Sequence, residues 1–383
     1  MFIKSKSIYT DAGCRSGILE IEGKQIRQVL PYDCEVSGEL LDVGEHRILP
    51  GIIDIHTHGF RGCNAQSLDK QELIELCELM ASVGVTAFLP TAGEHFEGEL
   101  TNLKLLKELI EQPVPGARML GIHMEGPFLN PDRKGAFTNQ QLLPCSIAKA
   151  QEYIEASGHH ILYMSLAPEL DPNGELIQYL NKQGMVVAGG HTCATFEEFA
   201  KGIDFGIRAS THTGNGMKQM DRRDPGAMGC ALLSEQIYNE VICDFHHIAP
   251  EMLKIMFRIK ENGVYGMIMI SDSGQLSGNP PGVYEKYGQV RIIDEAGMIH
   301  LEDGTIAGSA HPMLMGIKNL EEKLSIRMED ILYMTAKNPA ALFGIADQKG
   351  SIAAGKDADL CILDDSYRVR YTFVEGQCVY STR

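Results

Sequence analysis

Between Gly51 and Asp272 the chain repeats one pattern eight times, a short apolar, β-branched run followed by a stretch with helical spacing. The runs fall at residues 51–58, 86–91, 119–125, 161–168, 185–191, 208–212, 241–247 and 267–272, with helical patterns between them at 70–83, 100–111, 175–183 and 251–261, among others. Strands that each return through a helix lie parallel, and eight such units are the count of a closed (β/α)8 TIM-like barrel, an α/β fold assigned here to residues 50–346. The flanks read differently. Alternating stretches at 17–22, 26–30, 358–363, 371–374 and 377–380 look like antiparallel strands, and neither flank has enough apolar surface for a core of its own. Residues 1–49 and 347–383 are therefore expected to meet in one small β-sandwich domain, with the barrel inserted between them. Residues 279–287, with their paired prolines and glycines, read as a loop after the last strand and as a candidate lid.

A net charge of −17 argues against nucleic acid or an anionic membrane surface as a partner, and it requires any anionic substrate to find a local basic pocket. The first ten residues lack the apolar centre of a signal peptide, and no apolar run approaches the ~18 residues of a membrane span. Ten cysteines without CxxC pairs or a repeating spacing read as reduced thiols of a cytoplasmic protein.

In a barrel of this kind chemistry sits at the C-terminal ends of the strands. Those ends carry His56 and His58, Glu125, His191, His212, His247 and Asp272, so six of the eight finish in a metal-ligating or acid/base residue. His56 and His58 share one face of a strand, with Asp54 one alternate position back. His and carboxylate ligands suit a divalent ion (Zn most of all, with Fe, Mn or Co as alternatives), and no thiolate stands at a strand end to favour a softer metal. Glu125, His191 and His212 with a water make a four-coordinate catalytic site. His56 and His58 can hold a second ion with Glu125 between the two. A metal-acidified water needs a proton acceptor, and Asp272 beyond the last strand is placed to be one. Hydrolysis of an amide or related bond needs these parts.

The segments PGIIDIHTHG, HMEGPF, GGHT, DPGAMG and DGTIAGSA, together with the closing KGSIAAGKDADLCILD, carry a resemblance that spans nearly the whole chain. In them the chain resembles the amidohydrolase superfamily and, within it, the N-acetylglucosamine-6-phosphate deacetylases. Strand four has no lysine, which sets the chain apart from the superfamily's dihydroorotases, ureases and phosphotriesterases, where a carboxylated lysine there bridges two ions. The resemblance implies metal-dependent deacetylation of N-acetyl-D-glucosamine 6-phosphate to D-glucosamine 6-phosphate and acetate. The alternative within the same chemistry is another N-acyl amino sugar, an N-acyl amino acid or a cyclic amide. It implies Glu125, His191 and His212 as ligands of the main ion, His56 and His58 at a second, and Asp272 as the acid/base. Asn215 and Gly216 are implied to touch the sugar phosphate, and His247 to polarise the acetyl carbonyl or bind the sugar. Ala136, Ile306, Ala307 and Gly308 are implied to line the sugar pocket. Arg223 matches an arginine that reaches the phosphate of a neighbouring subunit, which implies a homodimer. The chain departs from the family pattern at Phe137, Thr213, Gly214, at Arg61 near the metal, and at TAGEH over residues 91–95, all where substrate would sit. A non-catalytic metal- or sugar-binding protein on the same barrel is a third reading, and the retained Asp272 argues against it.

Overall fold

The computed structural model describes every residue except His95, Pro113, Tyr287, Gly288 and Arg383, and omits the side chains of Lys286 and Gln289. Eight parallel strands follow one another in chain order: Ile52–Thr57, Val85–Ala92, Ile122–Glu125, Ile161–Leu166, Val186–Gly189, Ile207–Ser210, Tyr238–Ile242 and Met267–Ile270. Hydrogen bonds between the eighth and first strands complete the ring, with the Asp272 N–H donating to His56 O at 3.0 Å and the His58 N–H to Ser273 O at 2.7 Å. Each strand overlaps a run read from the sequence, although the seventh begins and ends earlier than read and shares only Val241 and Ile242 with the run at 241–247.

The helices begin where local chemistry says they should. Asp69 caps Lys70–Ser82 by accepting from the Gln71 N–H, and Thr195 with Glu198 forms a capping box on Phe196–Phe205. Leu73, Leu76, Cys77 and Met80 on the first helix are all buried, the i, i+3, i+4, i+7 stripe that holds a helix to a barrel wall. Inside the barrel Ile53, Ile55, Leu89, Tyr163, Ile242 and Ile270 belong to one buried cluster, a packed floor and not a channel. The third strand gives that interior His123 and Glu125, both buried.

Strands from both termini join in one eight-stranded sheet, in which Arg47–Pro50 pairs antiparallel with Leu360–Leu363. Alternation sends Leu360 and Ile362 into this sheet's own core with Ile3, Ile8 and Phe373, while Cys361 and Leu363 join the core around the barrel. Residues 279–287 correct the sequence reading. Gly282–Lys286 is the first strand of an antiparallel meander continued by Gln289–Ile293, Met298–Leu301 and Ile306–Ser309, so the DGTIAGSA segment also ends in a strand. The prolines and glycine at 280–282 mark only its start, and Tyr287 lies outside the described residues. No helix among the described residues is long and apolar enough to cross a membrane.

Candidate active site and metal centre

At the C-terminal mouth of the barrel four histidines converge on one carboxylate. Glu125 Oε1 lies 3.0 Å from Nε2 of both His191 and His212, and its Oε2 lies 3.1 Å from His58 Nε2. His56 Nε2 stands 3.5 Å from Glu125 Oε1 and 3.5 Å from Asp272 Oδ1, and Asp272 Oδ1 is also 3.5 Å from His58 Nε2. The donor atoms form two sets that meet at Glu125, one with His56 and His58 and the other with His191 and His212. Both were expected from the strand ends.

Several observations fit these residues to divalent cations. His56 Nε2 is buried with no hydrogen-bond partner among the described residues. His191 and His212 bring their Nε2 atoms within 3.1 Å of each other. Each has its Nδ1 within reach of a carbonyl, Arg133 O at 2.7 Å and Asn215 O at 3.2 Å, so Nδ1–H donates and the Nε2 lone pairs face the site. Burial opposes charge at Glu125, yet His56, His191 and His212 overcome it and hold the carboxyl well below its ordinary range. Burial likewise opposes a charged His58, and Asp272 and Glu125 outweigh it and raise the ring to about 9. The cluster attracts positive charge.

The backbone is bent to make this convergence. His191, His212 and Asp272 all adopt left-handed φ, at 46°, 27° and 47°, a region non-glycine residues seldom enter. The loop after strand three holds His191 from outside, through the Arg133 carbonyl and through the Asn130 N–H donating to His191 O at 2.9 Å. Gly135 and Gly216 permit that approach: a Cβ at either would come within 3.2 Å of the His191 ring.

Sequence reasoning missed the residues beneath the ligands. Glu240, fully buried in strand seven, accepts from the His212 N–H at 2.9 Å, and His56 Nδ1 lies 3.2 Å from the same oxygen. One carboxylate thus orients a ligand of each set. A glutamate inside the apolar run YNEVIC was the available signal. Glu240→Gln is expected to weaken metal binding about 10–100-fold with the fold retained, measured by competition with a chelating dye. His123 is T-shaped against His56 at 4.4 Å and spans Thr91 Oγ1 at 3.1 Å and Ser165 Oγ at 2.8 Å. Burial first, then the neighbouring His56, push its ring well below the ordinary range, so it is neutral. Asp54 is not in the metal cluster. Strand one shifts register against strand two between Asp54 and Thr57, and the Asp54 carboxylate accepts from the Ser271 hydroxyl at 2.5 Å, tying the first strand to the eighth.

A cavity of about 920 Å³ opens over the centre. Ala136, Asn215, Gly216 and His247 line it, as do Ile306, Ala307 and Gly308 from the meander. His247 stands in the loop beyond strand seven, not at the strand's end, because Asp244 folds the loop back by accepting from the His246 and His247 N–H groups at 2.9 and 3.0 Å. Asp244 Oδ2 lies 2.8 Å from His247 Nδ1. Phe137 lines the cavity edge-on to His191, with ring centroids 5.6 Å apart. Arg61 is corrected: it is exposed, lies over the Phe60 ring and does not line the cavity. Arg223 is exposed and does not line its own chain's cavity. His95, in TAGEH, lies outside the described residues. Arg291, on the second strand of the meander, was not foreseen, and among the described residues lining the cavity it is the one arginine or lysine.

A model of the amidohydrolase family matches residues 47–379, and the chain belongs to that family. It is a hydrolase of amide carbon–nitrogen bonds. Within the family it falls among the N-acetylglucosamine-6-phosphate deacetylases. That of Bacillus subtilis is 33% identical over 357 residues, covering 92% of this chain and 88% of the relative. The crystal structure of the Thermotoga maritima N-acetylglucosamine-6-phosphate deacetylase superposes with a TM-score of 0.86 at 29% identity, covering 100% of both chains. An N-acetylgalactosamine-6-phosphate deacetylase of Escherichia coli O157:H7 is 28% identical over 331 residues, 86% of this chain and 87% of its own.

Proposed function

We propose that the chain removes the acetyl group of N-acetyl-D-glucosamine 6-phosphate in amino-sugar catabolism, releasing D-glucosamine 6-phosphate and acetate. The observation that carries this reading is the convergence of both ligand sets on Glu125, with Asp272 beside His56 and His58, at the floor of a cavity that also contains Arg291. His56, His58, Glu125, His191 and His212 would hold one or two divalent ions, zinc before iron, manganese or cobalt. Such an ion supplies a Lewis acid for the acetyl carbonyl and acidifies a water. Asp272 takes the proton as the water oxygen adds to the acetyl carbon, and returns it to the nitrogen as the C–N bond breaks. Burial opposes a charge on Asp272, but His56, His58 and His212 outweigh it and keep the carboxyl ionised, the form that can accept a proton. Asp244 keeps its own charge through the His247 hydrogen bond despite burial, and so fixes the His247 ring at the cavity wall with Nε2 left to meet the sugar.

Arg291 is the group on this chain suited to the phosphate, with Asn215 and Gly216 nearby and Arg223 supplied by the partner copy of a homodimer. The ten free cysteines suit the cytoplasm. Arg291→Met is expected to raise KM for the phosphorylated sugar about 10–100-fold, the loss of a charge-assisted contact, and to leave turnover of unphosphorylated N-acetylglucosamine unchanged. The deciding experiment assays N-acetylglucosamine 6-phosphate, its unphosphorylated form and N-acetylgalactosamine 6-phosphate on metal-analysed protein. Preference for the first supports the reading, preference for the galacto epimer moves the chain to that relative's substrate, and metal without turnover of any of them overturns it.

A further inference from the structure

The cavity over the metal centre has two unlike walls. Segments after strands six, seven and eight supply Asn215, His247 and Arg291, polar groups suited to a sugar phosphate. Loops after the first three strands supply an apolar patch instead, made of Leu68, Phe96 and Phe137. None of the three is buried: Leu68 is 53% exposed, and both rings are half-buried, so the patch is open to the cavity. A Cβ at Gly98 would come within 2.8 Å of both Leu68 and Phe96, which sets these two side by side. Gln141 Nε2 donates to Glu94 Oε2 at 3.4 Å and so joins the loop of Phe137 to that of Phe96. Phe137 in turn meets the His191 ring, so the patch runs outward from the metal ligands. The cavity has the volume of roughly 30 waters at about 30 Å³ each, more than an acetylated hexosamine phosphate has heavy atoms. An apolar surface left open inside such a cavity marks the place for an apolar part of a ligand.

The chemistry says which part. Asp272 hands its proton to the departing nitrogen, so that nitrogen and the sugar it carries lie toward strand eight. The carbonyl carbon holds its other substituent away from the nitrogen. In the ring, strands two and three stand across from six and seven, so the side away from the sugar is the side of Phe96 and Phe137. We infer that Leu68, Phe96 and Phe137 form an acyl subsite that admits neutral N-acyl chains longer than acetyl, N-butanoyl among them. The inference rests on the amino-sugar reading above and widens its acyl group. Water adds to the same carbonyl carbon, the same C–N bond breaks, and the products are the amino-sugar phosphate and the longer carboxylate.

The test measures kcat/KM on N-butanoyl- and N-acetylglucosamine 6-phosphate for wild type, Phe137→Ser and Leu68→Ser, with bound metal determined in each. A longer alkyl chain makes the carbonyl no more electrophilic, so any advantage of butanoyl comes from binding. Each methylene withdrawn from water is worth about fourfold, and butanoyl brings two more than acetyl. The expected butanoyl-to-acetyl ratio is one or higher in wild type and falls about 3–10-fold in each variant, part of the chain staying wet. Taking the ratio cancels whatever a variant does to both substrates alike. Leu68 stands apart from the metal ligands, so its variant decides should Phe137→Ser lose metal. A wild-type ratio below one, or a ratio that neither variant lowers, would overturn the subsite while leaving deacetylation in place. Wild type that turns over neither sugar would instead sink the deacetylase reading, and this one with it.

Discussion

Asp272→Asn should abolish measurable deacetylation, lowering kcat by about 10²–10⁴-fold or more, while the protein keeps its full complement of metal. The carboxylate is asked to do two things in sequence, to accept a proton from water and to deliver it to a poor amine leaving group. Asparagine has nearly the same shape and still offers an oxygen to His56 and His58, so the packing around the change is preserved. It cannot carry the proton. The check is single-turnover kinetics beside elemental analysis of the same sample. A variant that turns over at more than a tenth of the wild-type rate would remove Asp272 from the chemistry, whereas loss of metal would make it a ligand and not a base.

The second large effect is expected at Glu125, whose two oxygens meet all four histidines. Glu125→Gln should empty the centre, because the shared oxygens lose their charge and one becomes a donor aimed at imidazole nitrogens. The loss of affinity should exceed the ~10–100-fold set for the partner residue Glu240. The paired change His56→Ala with His58→Ala should strip only the set nearest Asp272 and leave metal on Glu125, His191 and His212. Metal per chain across the three proteins decides this. Equal stoichiometry in the double alanine variant and wild type would mean that a single ion uses the second set alone.

Most of this architecture is legible in the sequence because it is local. A barrel strand is short, its apolar run is contiguous, and the residues at or just past its C-terminal end face the site, so His56, Glu125, His191, His212 and Asp272 are found without any knowledge of contacts. What escapes is set by pairings far apart in the chain. Glu240 looks like one polar residue in an apolar strand until His56, 184 residues away, is seen against it. Asp54 satisfies the same two-residue spacing as His56 and His58, yet it lies farther from the strand's C-terminal end and its carboxylate is taken up by Ser271. The meander was hidden by its own punctuation, since the prolines before Gly282 outweighed the alternation in the strands that follow. With it went Arg291.

The last two hydrogen bonds of the barrel, from Asp272 to His56 and from His58 to Ser273, are made by the backbone of the very residues that furnish ligands and base. The cylinder is therefore fastened through its own catalytic machinery. Whatever ion the side chains retain also ties together the ends of the first, third, fifth and sixth strands, so occupancy and integrity of the ring form one linked equilibrium, and the free energy of metal uptake adds to the free energy of folding. Starved of its cation, such a protein loses more than a cofactor: it loses a brace across four of the strands that make its ring.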